Sequence, residues 1–143
     1  MEYGKFGDTW VVKLDRGEEI IASLTELCKR ENIRLASIEG LGAADRAVIG
    51  LYDVGSRVYH KITMEGPMEI TSLMGSATRK DGEPYLHLHI NLCDGEMRVR
   101  GGHLNECRIS ATAEIIVRGI PGEVGRLLDE EVTGLNLFRF HQK

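Results

Sequence analysis

Three of the five histidines, His87, His89 and His103, fall in the stretch Tyr85 to Val117, which reads YLHLHINLCDGEMRVRGGHLNECRISATAEIIV. Leu86, Leu88, Ile90 and Leu92 alternate with Tyr85, His87, His89, Asn91 and Cys93. Strict alternation marks a half-buried strand, with the leucines facing a core and both imidazoles on the other face. Residues two apart on a strand stand roughly 6.5–7 Å from each other on one face, so two imidazoles can lean onto one cation. Asp94-Gly95 is a turn signal, and Met97 to Arg100 suits a short antiparallel return. That return carries Gly101-Gly102-His103-Leu104 toward the first two histidines. Paired glycines let a backbone come close to a site, which makes His103 the natural third ligand. Three histidines with an open fourth position is a known zinc arrangement, and neutral imidazole also suits copper, iron or nickel. The predicted cofactor is therefore zinc or another divalent transition metal on His87, His89 and His103. The simpler reading makes each of them a hydrogen-bonded strand histidine.

Other candidate ligands fit less well. Cys93 shares the face of His87 and His89, but a thiolate ligand needs deprotonation and a convergent geometry. In Val58 to Met64, His60 shares a face with apolar residues and reads as structural, while His141 sits near the chain end and is a poor ligand. Glu114 lies off the apolar face of its strand, where it could orient a ligating histidine or act as a base; the alternative is a solvated or interfacial glutamate. The sequence supplies no serine or cysteine nucleophile constellation, and catalytic residues are left unassigned.

The elements that must position these side chains follow from periodicity. Trp10 to Leu14 predicts a strand, and Asp15-Arg16-Gly17 a turn into a helix from about Glu18 to Glu31. Ile20, Leu24, Leu27 and Cys28 keep helical spacing there, Glu18 and Glu19 fall in the first turn, and Asn32 is the stop signal. Strands are expected over Arg34 to Glu39, Val48 to Tyr52, Val58 to Met64 and Met68 to Ser76, with a polar turn at Arg79 to Gly82. Gly40-Leu41-Gly42 lacks the full dinucleotide fingerprint and its following helix, and implies a tight turn or a close chain crossing. Arg108 to Arg118 is the longest apolar strand, placing Ile109, Ala111, Ala113, Ile115 and Val117 on one face. Beyond Pro121-Gly122 a helical turn is expected at Val124 to Glu131, then a last strand from Leu135.

LHLHINL, the turn, GGHL and ISATAEIIV together resemble the core signature of the PPC ("plants and prokaryotes conserved") domain, and Gly66 to Gly75 is similar to that family's glycine-to-glutamate-to-S-L-x-G stretch. Plant members carry Arg-Phe where this chain has Pro67-Met68, and there the domain follows AT-hook segments; prokaryotic members are usually stand-alone. The resemblance runs from about Trp10 to the end. It implies an α+β fold with a mainly antiparallel β-sheet packed with one principal α-helix, a single compact domain over 1–143, and a homotrimer. In some prokaryotic relatives it also implies a metal on the residues matching His87, His89 and His103. It brings no established reaction.

Composition bounds the partners. A chain of 143 residues, 42% hydrophobic, can bury one real core. Its net charge of −4 gives no overall electrostatic footprint for a polyanion, so no direct nucleic-acid binding is expected. The R-G-R-P core of an AT-hook is missing; Arg118-Gly119-Ile120-Pro121 only approaches it. Three cysteines without C-x-x-C spacing point to reduced thiols in the cytoplasm. No run approaches a membrane span, so no membrane partner is expected. Two other function classes compete with a metal-binding domain of unassigned activity. One is a regulatory or interaction module related to the plant proteins. The other is a metal-dependent hydrolase or cupin-like enzyme, although a cupin glutamate normally follows the second histidine sooner than Glu96 does here.

Overall fold

The apolar alternation becomes long, bent strands in a computed structural model that describes residues 1–140. The order is β1 (Glu2–Phe6), β2 (Thr9–Asp15), α1 (Ile20–Arg30), β3 (Ala36–Asp53), β4 (Val58–Lys80), β5 (Glu83–Cys93), β6 (Val99–Gly119), β7 (Gly125–Asp129) and β8 (Leu135–Arg139). Six strands form one antiparallel sheet in the order β1-β2-β6-β3-β4-β5, and β5 also pairs with β6. That second pairing turns the sheet back on itself through β6, β3, β4 and β5. Strands β7 and β8 make a separate hairpin.

The fold is a single compact domain, mainly antiparallel sheet with one helix, as expected for α+β. Helix α1 begins where Glu19 caps it, its carboxylate accepting from the Ile21 (3.0 Å) and Ala22 (2.6 Å) amides. The same carboxylate accepts the Cys107 amide at 3.0 Å, which ties the helix start to β6. Neither glutamate occupies the first turn: Glu19 is the cap, and Glu18 pairs with the Met1 amino group. The helix stops at Glu31, and Asn32 takes a left-handed φ of 50°. Ile20, Leu24, Leu27 and Cys28 are buried against Leu88, Ile90 and Leu92 of β5 and Ile109, Ile115 and Val117 of β6, so the core lies between helix and sheet. None of the helices among the described residues is long and apolar enough to cross a membrane.

Several expectations change. The pairs of strands expected at Arg34–Glu39 and Val48–Tyr52, and at Val58–Met64 and Met68–Ser76, are the halves of β3 and β4, continuous through register shifts at Gly40/Gly42 and Ala44/Arg46. A bulge bends a strand without ending it. Ala111 is exposed although Ile109 and Ala113 are buried, because the β3–β6 register slips between Ala44 and Gly42. Val124 to Glu131 is not helical: Gly125–Asp129 finds its hydrogen-bond partners on Leu135–Arg139. Met97 is a turn residue with φ 60°, so the return strand starts at Val99. The strand β1, unexpected from its charged sequence, is anchored by Glu31, which accepts the Tyr3 hydroxyl (2.8 Å) and the Trp10 indole N–H (3.1 Å).

Candidate metal centre

The site is built by the β5–β6 hairpin. Leu88, Ile90 and Leu92 are buried, which forces His87, His89 and Asn91 to the opposite face of β5. Asp94 shapes the turn: its Oδ1 accepts the amides of Glu96 (2.9 Å) and Arg98 (3.1 Å), and Oδ2 takes the Arg98 Nε–H (3.1 Å). The resulting register sets His103 directly opposite His89, with Ile90 opposite Gly102 and Asn91 opposite Gly101. The glycines are required by close approach. A Cβ on Gly101 would collide with the Asn91 side chain, and one on Gly102 would lie 2.7 Å from the Gly50 carbonyl oxygen. On the other side of β5, a Cβ on Gly75 would collide with the His87 carbonyl.

The three imidazoles thus form a compact triangle, with ring centroids 5.3 Å (His87–His89), 5.2 Å (His87–His103) and 5.6 Å (His89–His103) apart. One ring nitrogen from each lies within 4.8 Å of the others. A cation bound at about 2.0–2.1 Å to each nitrogen keeps its ligands within about 4 Å of one another. Closing the triangle onto one ion therefore needs less than about 1 Å, within reach of ring rotation, and the donor set fits a divalent transition metal. His87 and His103 titrate below the ordinary histidine value, first because burial disfavours their charged forms. For His87 the positive Arg126 adds to this, and for His103 the other two imidazoles do. Both are accordingly held in the neutral, ligating form.

Around the triad is a cavity of about 680 Å³. Its floor is Gly50, Gly101 and Gly102; its walls include Leu51, Val54, Tyr59, Tyr85 and, from the β7–β8 hairpin, Arg126, Leu135, Leu137 and Phe138. The edge of Tyr59 meets His103, with centroids 6.2 Å apart. Arg126 and the hairpin were invisible as site components in the sequence, because nothing in GRLLD or LNLFR signals which face of the molecule they cover.

The remaining candidates fall elsewhere. His60 is exposed, pairs with Leu51 along β3, and lies outside this cavity; Val58 and Ile62 are exposed with it, so the apolar face expected to bury it is not covered. Glu114 opens onto a different surface groove with Lys13, Glu39 and Leu41, and can neither orient a histidine of the triad nor serve as its base. Cys93 is half-buried at the far end of β5 opposite Val99, with its thiol toward the Asp94 carbonyl and the Met97 sulfur. His141 lies outside the described residues.

Residues 1–121 match the Plants and Prokaryotes Conserved (PCC) domain, the family the LHLHINL and GGHL motifs resemble. The chain belongs to this family. Among solved structures, a metal-containing protein from Archaeoglobus fulgidus is 35% identical, with a TM-score of 0.85, covering 97% of this chain and 96% of that one. Two further structures are provisionally described as DNA-binding proteins. The one from Bacteroides thetaiotaomicron is 27% identical with a TM-score of 0.94, and the one from Ralstonia eutropha 28% identical with a TM-score of 0.89; each alignment covers 97% of this chain and 96% of the other. No curated protein matches the sequence. The descriptions of these two PCC-like neighbours overturn the expectation of no direct nucleic-acid binding. The physical weakness of that expectation is that a net charge averages the whole surface, whereas phosphate contacts need only a local basic patch.

Proposed function

We propose that this PCC domain binds a divalent transition metal, zinc first, on His87, His89 and His103, and that it does so as a homotrimer in the cytoplasm. The observation that carries the reading is the triangle of imidazoles with one nitrogen each within 4.8 Å. The metal-containing relative from Archaeoglobus fulgidus supports it. The trimer is what the family resemblance implies, and the free thiols of Cys28, Cys93 and Cys107 agree with a reducing compartment. We take residues 1–143 as one domain, since the β7–β8 hairpin beyond the family match closes the same cavity.

A bound divalent ion supplies Lewis-acid activation of a carbonyl or of water. The chain's own part is to hold three imidazoles within reach of one ion and to line the site with the apolar side chains of Leu51, Val54, Leu135 and Leu137. No carboxylate among the described residues lines the cavity to act as a base.

Elemental analysis of purified protein, with His87→Ala, His89→Ala and His103→Ala beside it, tests the assignment. Each variant should lose metal by at least about tenfold, the scale at which even outer partners of a metal ligand act, while His60→Ala and Cys93→Ser keep the wild-type content. A wild-type protein that retains none of zinc, nickel, copper or iron would return the histidines to structural residues.

A second reading, DNA binding, is favoured by the descriptions of the Bacteroides and Ralstonia relatives. Fluorescence anisotropy with a labelled duplex at several salt concentrations decides it. Binding that weakens linearly in log salt supports phosphate contact; no binding at low salt removes the reading.

A further inference from the structure

Among the described residues Arg126 is the one cationic side chain in the lining of the histidine cavity, and its guanidinium is only partly used. Its Nε donates to the hydroxyl of Thr78 at 3.0 Å, and Nη1 donates to the backbone carbonyl of Asn136 at 3.1 Å. Thr78 is itself fully buried and donates to the Tyr85 carbonyl at 3.2 Å, so the arginine is braced from behind by a fixed core residue. The rings of Phe138 and Tyr85 lie 4.2 and 4.8 Å from the guanidinium carbon. The guanidinium therefore lies over two aromatic rings, while its N–H donors point outward at the edge of its own plane. Nη2 on that edge is buried and has no partner, and no carboxylate pairs with Arg126 among the described residues. Asn136 Oδ1, beside it on β8, is a buried acceptor equally without a partner.

A partly buried cation with one buried donor left unpaired is less favourable than one whose donor an anion completes. Burial already pulls the Arg126 pKa below its ordinary value. A purely structural clamp for the β7–β8 hairpin would be served by the Thr78 and Asn136 contacts and the stacking alone. It would not call for a free Nη2 in a cavity shared with three imidazoles.

We propose that the cavity takes a small organic carboxylate, its carboxylate on the Arg126 edge and its apolar body against Leu51, Val54 and Leu137. A planar carboxylate fits an in-plane guanidinium edge. The single cation and the apolar walls match a monoanion with a short hydrocarbon body; a phosphate dianion would need more donors than the lining offers. This deepens the metal reading, on which it rests only for any second ligand atom that reaches the histidines.

The test uses isobutyrate, its neutral isostere isobutyramide, and inorganic phosphate, titrated by NMR into the protein both as purified and after metal removal. Isobutyrate should bind the metal-free protein about tenfold or more tightly than isobutyramide, the scale of a charge-assisted hydrogen bond. Arg126→Gln should erase that preference while His60→Ala, outside the cavity, keeps it. Because the decisive arm contains no metal, failure of the metal assignment leaves it intact. If Arg126→Gln does not fold, the acid-against-amide comparison on wild-type protein decides alone. Equal binding of acid and amide overturns the proposal, as does tighter binding of phosphate. Isobutyrate binding that disappears with the metal but survives Arg126→Gln would place the anion on the ion and overturn it too.

Discussion

His87 and His103 have pKa values pushed below the ordinary ~6.5 of histidine chiefly by burial. The direction has two consequences. Metal needs neutral imidazole, so occupancy should persist somewhat below pH ~6.5 and then fall as the pH passes through the lowered values. For the metal-free protein the sign follows from linkage: between the lowered values and ~6.5 the unfolded chain binds more protons than the native one, so stability rises with pH. These two residues therefore contribute stability above pH ~6.5 that is lost as pH falls through their folded-state values. Urea titrations of metal-free protein between pH 5 and 8 should show a slope that His87→Gln with His103→Gln flattens. An unchanged slope would mean the two imidazoles are as well solvated in the native state as in the unfolded one. At this scale the triad was legible in the sequence, because H-x-H on an alternating strand and a glycine-flanked third histidine after a turn leave few geometries. Arg126 was not, since its role depends on a hairpin docking over β4 and β5, which no local pattern encodes.

At the scale of elements, the hairpin works because backbones come unusually close where the sequence has glycine. Gly102 faces the Gly50 carbonyl across the β6–β3 pairing, and an added Cβ would meet that oxygen at 2.7 Å, with no flexible side chain to give way. Gly102→Ala should destabilise the fold by about 1–3 kcal/mol, the usual range for overpacking, and should lower metal content through displacement of His103. Gly95→Ala, in the turn with nothing within 4 Å of its Cβ, is the control, expected within about ±0.5 kcal/mol of wild type. Denaturant melts with elemental analysis on both variants check this; equal effects would show that the close approach is not what the glycine serves. The same closeness explains which elements could be read in advance. Gly40 and Gly42 do mark a close crossing: a Cβ on either would come within 3 Å of β6 backbone atoms at Glu114 and Thr112. Such glycines look like strand ends in one dimension, so β3 was expected as two strands. Strand β1 was hidden for a different reason: its Tyr3 is held by Glu31, far away in sequence.

At the scale of the molecule, the outer halves of β3 and β4 extend past the core and expose apolar side chains. Leu51 is 64% exposed, Val58 46% and Ile62 45%, and Leu41 stands at 57% beside Glu114 in a separate groove. Isolated exposed apolar residues need no explanation, but Leu51 and Ile62 lie on neighbouring paired strands, two positions apart in register. Packing against further copies would cover such a surface, and closed rings are the usual outcome when identical chains associate. The family resemblance supplies the number three. Sedimentation velocity at micromolar concentration should therefore give a single species of trimer mass. Leu51→Glu with Ile62→Glu, which put charge on the exposed surface while leaving the buried core untouched, should shift that species toward monomer with the secondary structure retained. A wild-type monomer at that concentration would reject the assembly. A trimer indifferent to the double substitution would move its interface away from the ends of β3 and β4, toward the groove of Leu41 and Glu114.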